Sequence, residues 1–411
     1  MKKLVDKRHI KTMILICTMA YFVSYITRVN YAAVIVEITK SEGITKSAAS
    51  LVTTISFITY GVGQLISGYL GDRIQPKLLM FFGLLITSAM NLLLPICGSI
   101  SWMTVVWAIN GFAQAMLWPP MVKIMVGMFN ASVYRRACVK VSWGSSLGTI
   151  AVYLFAPFCI VTLGWQSVFY IPAVIGIIMA GVWLIVCGKM EKYTVEVEEN
   201  SPPAEAKGSS MGGLPKNFTV TLLIMTAILF QGILRDGINT WMPSYISETY
   251  NLSSFVSILT GVLLPLFAIC FFQFTLWLHQ KFINNELTCA GCIFGGGFVA
   301  ALMLYFVSSY SAALSVFLSA VIVGSMSGVN LLLVSMVPPY LGKYGRVSFV
   351  SGMLNFSTYV GSAISTYGIA AISEKMSWQA AILCWSIVAF FGTTICFASK
   401  NKWEIFKKTT V

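Results

Sequence analysis

Charge is what this chain has least of. Only 10% of its 411 residues are Asp, Glu, Lys or Arg, against about 25% in an ordinary soluble domain. Acidic residues number 14 and histidines two. No cluster of His, Cys and carboxylates has metal-ligand spacing, and no Gly-rich phosphate cradle leads into Lys-Ser/Thr. Neither a metal, nor another cofactor, nor an ATP-driven motor is therefore expected, and the chain does not read as an enzyme. His9 and His279 fall at the edges of apolar segments, away from any buried reaction. The ten cysteines are scattered, and the pair Cys289 and Cys292 has no second pair to complete a metal site, so they read as small apolar filler.

What fills the space is hydrophobic: 57% of residues, in long runs. At roughly 20 residues per membrane crossing, twelve segments are expected, near 12–36, 49–70, 77–97, 103–126, 138–162, 166–187, 218–246, 254–277, 288–307, 311–336, 347–371 and 378–398. The fold class is thus an all-α membrane protein with twelve transmembrane helices. The start, Met1 to Lys11, has the charge of a signal peptide, but the apolar run that follows is too long and lacks a cleavage site, so the first span is expected to be retained.

The net charge of +13 invites a nucleic-acid reading, which the positions of the charges reject. With the N-terminus placed in the cytoplasm, 22 of the 27 Lys and Arg fall in cytoplasmic segments and three (Lys40, Lys46 and Lys375) on the other side. That bias is the positive-inside rule, with both termini cytoplasmic in a cell or inner membrane. The lipid bilayer, not nucleic acid, is the partner that the basicity serves.

Two arginines are left over. Arg28 and Arg235 lie inside apolar segments, 207 residues apart. An arginine at the bilayer centre costs at least about 2.5–3.5 kcal/mol on insertion scales, so each calls for a function. Their separation is half the chain and places them at matching depth in spans 1 and 7. The stretch from 189 to 217, with five glutamates and Ser201-Pro202-Pro203, reads as a flexible linker between two halves. The expected organisation is an N-terminal six-helix bundle over 1–188, the linker over 189–217, and a C-terminal six-helix bundle over 218–411. Two parallel halves with a midplane site between them form one common transporter design.

Polar residues cluster near the two arginines. Tyr21, Tyr25 and Arg28 are spaced i, i+4, i+7 and share a helix face. They offer two phenols and a bidentate fork to an oxyanion, or an interhelical hydrogen-bond stripe with no ligand. Tyr60 and Gln64 share a face in span 2, and Asn355 and Tyr359 do so in span 11. In span 4, Trp118-Pro119-Pro120 must break the helical ladder, which is tolerated at membrane depth only where protein or a water-filled cavity surrounds it. Gly295-Gly296-Gly297 in span 9 suggests close helix packing.

Gly68-Tyr69-Leu70-Gly71-Asp72-Arg73, after span 2, resembles the loop signature of the major facilitator superfamily. At the same 207-residue offset, Thr275 to Lys281 stands as a degenerate copy. The resemblance implies that Gly68 permits close helix approach and that Asp72 and Arg73 pair with neighbouring helix ends, stabilising one conformation. Longer stretches are similar to the organophosphate:phosphate antiporter family within that superfamily. They are Tyr25, Arg28 and Asn30; Asn110-Gly111-Phe112-Ala113-Gln114 through Trp118-Pro119-Pro120; Leu234-Arg235 through Gly237-Ile238, Trp241, Pro243 and Tyr245; and the segments 68–77 and 352–378.

This resemblance implies two pseudo-symmetric bundles that rock around a phosphate gripped by Arg28 and Arg235. Tyr21, Tyr25, Tyr60, Trp118 and Tyr359 would support it. Gln64 stands where the family carries a lysine, Leu147 where the glycerol-3-phosphate type has a histidine, and Asp236 where a neutral residue is usual. Two readings of Asp236 stay open: a counter-ion facing a neighbouring helix, or a cavity group that binds a proton or a substrate amine. The function expected is exchange of a small organic anion, an organophosphate, for inorganic phosphate. The alternatives are proton symport of another anion, a phosphodiester or a zwitterion, and, because the family includes one such receptor, a sensor of a phosphorylated sugar. Nothing in the sequence demands more than a monomer.

Overall fold

The structure, a computed structural model, describes residues 2–196, 218–341 and 346–410. Of the linker expected over 189–217, residues 197–217 lie outside the described residues. The helices, in order, are α1 (Lys7–Ile26), α2 (Asn30–Glu42), α3 (Lys46–Gly71), α4 (Pro76–Leu93), α5 (Ile100–Ala115), α6 (Trp118–Met128), α7 (Ala131–Leu163) and α8 (Ser167–Lys192). After the linker come α9 (Phe218–Tyr250), α10 (Ser254–Thr260), α11 (Leu263–Lys281), α12 (Glu286–Val307), α13 (Ala312–Asn330), α14 (Pro338–Leu341), α15 (Val347–Lys375) and α16 (Trp378–Thr410). A short antiparallel pair, β1 (Lys2–Lys3) with β2 (Val195–Glu196), joins the start of the chain to the end of α8.

Eleven helical segments among the described residues are long and apolar enough to cross a membrane. Three of them are broken helices: α1 with α2, α5 with α6, and α13 with α14 through a π-helical turn over Leu331–Met336. The twelfth expected crossing is α15, a 29-residue helix whose Ser, Thr, Asn and Gly content keeps it below the hydropathy of a lone span. It does not need that hydropathy, because it packs between α3 and α9 and presents little of itself to lipid.

Close approach around α15 follows from glycine. A Cβ on Gly68 would meet the backbone of Ser348 and Phe349 on α15, and one on Gly352 would meet the Gln64 carbonyl on α3. Of the run Gly295-Gly296-Gly297 in α12, only Gly297 sits at a tight contact, against Met326 and Ser325 of α13, while Gly296 faces open space. The close-packing expectation therefore holds for one of the three.

Both ends of the described chain lie on one face of the bundle. The Leu4 amide donates to the Met128 carbonyl at the end of α6. The α16 extension is anchored at Glu286, whose carboxylate accepts from Trp403 Nε1 and Lys407 Nζ, each at 2.7 Å. Between these anchors, Tyr134 Oη donates to the Ser335 carbonyl at 2.8 Å. On this terminal face Asp72 accepts from the Phe349 amide at 3.0 Å and the Ser348 amide at 3.4 Å, so it caps the start of α15, and Lys123 lies 3.7 Å from its carboxylate. A carboxylate at a helix N-terminus satisfies free N–H groups and suits the helix dipole. Arg73 makes no such link: it is exposed and stacks over Tyr69 of its own helix at 4.0 Å. Among the described residues, the pairing expected of both loop charges is made by Asp72, while Arg73 lies over Tyr69.

Candidate substrate site

Arg28 sits in a break that its local sequence does not announce, since neither Pro nor Gly is near. The helix ends at Ile26 and resumes at Asn30. Thr27 Oγ1 bonds back to the Val23 and Ser24 carbonyls at 2.9 and 3.0 Å, competing for groups the helix would use. Amides from α4 and α5 then take the carbonyls freed there: Asn91 Nδ2 donates to Thr27 O at 2.9 Å, Asn110 Nδ2 to the same oxygen at 3.3 Å, and Gln114 Nε2 to Ser24 O at 3.1 Å. Asn30 joins this network through Asn91 Oδ1 at 2.7 Å. Every member is buried, so the broken backbone is satisfied by protein, as a membrane interior requires.

Beyond this clamp, Arg28 enters an aromatic cage. Its guanidinium carbon lies 4.2 Å from the Tyr25 ring centroid, 5.1 Å from Tyr60 and 5.8 Å from Tyr359, and Nη1 donates to Tyr359 Oη at 3.0 Å. Such stacking stabilises a cation that has left water. Tyr359 comes from α15, so this contact already joins the first and second halves of the chain. The α5–α6 break lies immediately before Trp118-Pro119-Pro120, as the prolines require, and presents Trp118 with its ring 5.1 Å from that of Tyr21. The Trp118 indole N–H is buried with no hydrogen-bond partner among the described residues.

Arg235, on α9, is held by its own neighbour. Nε donates to Asp236 Oδ1 at 2.7 Å and Nη2 to Oδ2 at 3.0 Å, while the Ser362 hydroxyl of α15 donates to the same carboxylate. Both side chains keep limited exposure, 14% and 13%. Asp236 lines the cavity and is also bonded to an adjacent helix through Ser362.

One central cavity of about 140 Å³ collects these groups. Tyr21, Tyr25, Arg28, Trp118, Arg235, Asp236, Asn355 and Tyr359 all line it. Tyr60 stands behind, with its ring 4.0 Å from that of Tyr359. Gln64 is not in the cavity. It is fully buried at the α3–α15 contact, accepting from Asn355 Nδ2 at 3.2 Å, one turn further from Arg28 than Tyr60. Leu147 is 46% exposed on the outside of α7 and likewise takes no part.

The cavity face of α7 instead carries Ser142, Ser145, Ser146, Thr149 and Tyr153. The spacing i, i+3, i+4, i+7, i+11 is a polar stripe at helical period and was available in the sequence. Asn239, Thr240, Ser327 and Asn330 add to the polar lining and give no comparable signal. Chemically, the cavity offers two guanidinium groups, one carboxylate and a field of hydroxyls to a small polar anion.

A bundle of long apolar helices around a buried polar cavity, with one arginine from each half of the chain, defines a membrane transporter class. The chain belongs to the major facilitator superfamily, whose family model matches residues 17–366. The glycerol-3-phosphate transporter of Bacillus subtilis is 24% identical over 379 residues, an alignment covering 86% of this chain and 84% of that relative. A probable hexose phosphate transport protein of Chlamydia trachomatis is 20% identical, with 90% and 87% covered. The membrane sensor protein UhpC of Escherichia coli is 21% identical, with 93% and 90% covered. Among solved structures, a bacterial homologue of the human lysosomal transporter Spinster, inward-facing and unoccupied, matches with a TM-score of 0.69 at 14% identity, covering 99% of this chain and 98% of that one. This last likeness concerns the fold alone.

Proposed function

We propose that the chain is a secondary transporter that exchanges a small organophosphate, of the sugar phosphate or glycerol phosphate type, for inorganic phosphate by alternating access. The observation that carries the reading is the convergence of Arg28 and Arg235, one from each half, on one cavity. A ligand oxyanion bridging them would draw the halves together, which is how binding energy couples to a conformational change. Tyr25 and Tyr359 would supply further donors. The two halves would be residues 1–188 and 218–411, working as a monomer in a cell or inner membrane with both termini cytoplasmic, the side the Lys and Arg bias favours. The terminal face, held together by Asp72 and Tyr134, would then be the closed cytoplasmic gate.

Uptake of labelled phosphate into phosphate-loaded proteoliposomes tests this. Exchange should occur with the wild type and fall at least about tenfold in Arg28→Lys and Arg235→Lys, since a charge-assisted hydrogen bond contributes about 1.5–3 kcal/mol. Absence of exchange from folded wild-type protein would sink the antiport reading. A second reading, a sensor, draws support from the similarity to UhpC. Ligand binding without counterflow would select it.

A further inference from the structure

Arg235 reaches the cavity already partnered. Asp236 occupies the Nε–Nη2 edge of its guanidinium in a bidentate fork, at 2.7 and 3.0 Å, an edge a phosphate or carboxylate ligand would otherwise take. Ser362 holds the same carboxylate from α15. Displacing Asp236 from Arg235 by an anionic ligand would leave the carboxylate without a cation away from water, so the pair persists when a ligand arrives. Arg235 then serves the ligand through Nη1 and the second hydrogen of Nη2 only, as a donor whose charge is already cancelled.

Arg28 is the opposite case. Its neighbours are the Tyr25, Tyr60 and Tyr359 rings and the Tyr359 hydroxyl, and no carboxylate forms an ion pair with it among the described residues. Among the described residues, Arg28, Arg235 and Asp236 are the three charged residues lining the cavity, which leaves one net positive charge. Among the described residues, the titratable and charged groups around Asp236 are Arg235 on its own helix, Tyr25 on α1, Arg28 in the break between α1 and α2, and Tyr359 on α15. The helix α13 adds Ser327 and Asn330 to the cavity, and neither titrates.

We propose that this cavity selects anions carrying one negative charge and rejects dianions, and that Asp236, clamped between Arg235 and Ser362, is the residue that sets this preference. A phosphomonoester would enter singly ionised, bringing its own proton, and a phosphodiester would suit the site at any pH near neutrality. The proposal rests on reading the cavity as a phosphate-type anion site.

The test is binding to the purified full chain by calorimetry, with glycerol 3-phosphate as probe from pH 6 to pH 8 and sulfate, a fixed dianion, as competitor. A monoester has its second ionisation near ~6, so a site restricted to the monoanion should lose roughly fiftyfold in affinity over that range. Sulfate should compete poorly throughout. In Asp236→Asn the profile should flatten or reverse, and sulfate should become an effective competitor. A wild-type affinity that stays within about twofold or rises with pH, or strong competition by sulfate, overturns the proposal without any variant being needed. An unchanged profile in folded Asp236→Asn removes Asp236 as the determinant. If neither glycerol 3-phosphate nor inorganic phosphate binds at any pH, the phosphate reading itself falls and takes this inference with it.

Discussion

The Tyr359 hydroxyl is a single atom group that joins the two halves of the chain at the site, since it accepts from Arg28 at 3.0 Å and belongs to α15. Tyr359→Phe keeps the ring against Tyr60 and removes only this bond. The expected effect is a rise of about 3- to 30-fold in the half-saturation concentration for exchange, the range for losing a hydrogen bond to a charged group with partial compensation, with little change in thermal stability. Transport kinetics in proteoliposomes would check it, and an unchanged half-saturation value would remove Tyr359 from the site. At this scale the sequence was informative for residues that break a rule: Arg28, Arg235 and Asp236 are charges in apolar runs, and Trp118 precedes two prolines. It was weak for residues that obey one. Gln64 looked like a site residue because it shares a face with Tyr60, yet one further turn carries it past the cavity into the contact with Asn355. The α7 serines are small enough to pass for packing residues.

On the terminal face, Gly68 of α3 lies against Ser348 and Asp72 caps α15. Replacing Asp72 by Asn keeps the shape but removes the charge at the α15 N-terminus. Asn caps as well as Asp, so only the charge–dipole interaction is lost, about 0.3–1 kcal/mol, and the closed-to-open ratio on this face should fall by roughly 2- to 5-fold. Spin-label distances between the α3 and α15 ends should lengthen accordingly, and distances identical to wild type would show that the cap does not hold the gate. The sequence carried this element through its Gly-x-Leu-x-Asp-Arg pattern and carried the α5–α6 break through proline. The α1–α2 break was not legible, because its cause is remote. Asn91, Asn110 and Gln114 stand 61 to 90 residues away from the groups they bond, and no local pattern reports a partner at that distance.

For the whole molecule, periodicity and the loop charges suffice to find nearly every crossing, since lipid demands length and apolarity of each helix separately. That reasoning weakens where a helix is surrounded by protein, and α15 is the instance: its environment is α3 and α9, and its composition answers to them. The consequence reaches back to synthesis. A segment whose Ser, Thr and Asn are answered by neighbouring helices has less to gain from lipid when it leaves the ribosome than a helix as apolar as α16. We expect it to be received by helices already in place, or to enter together with the α16 that follows it. Fused by itself into a glycosylation-based insertion reporter, α15 should fail to span in most molecules, and should span when α16 is restored behind it. Efficient insertion of α15 alone would contradict this. If the expectation holds, the late steps of biogenesis depend on partners made hundreds of residues earlier, and substitutions on the α3 face that receives α15 should lower the yield of inserted protein before they alter any step of transport.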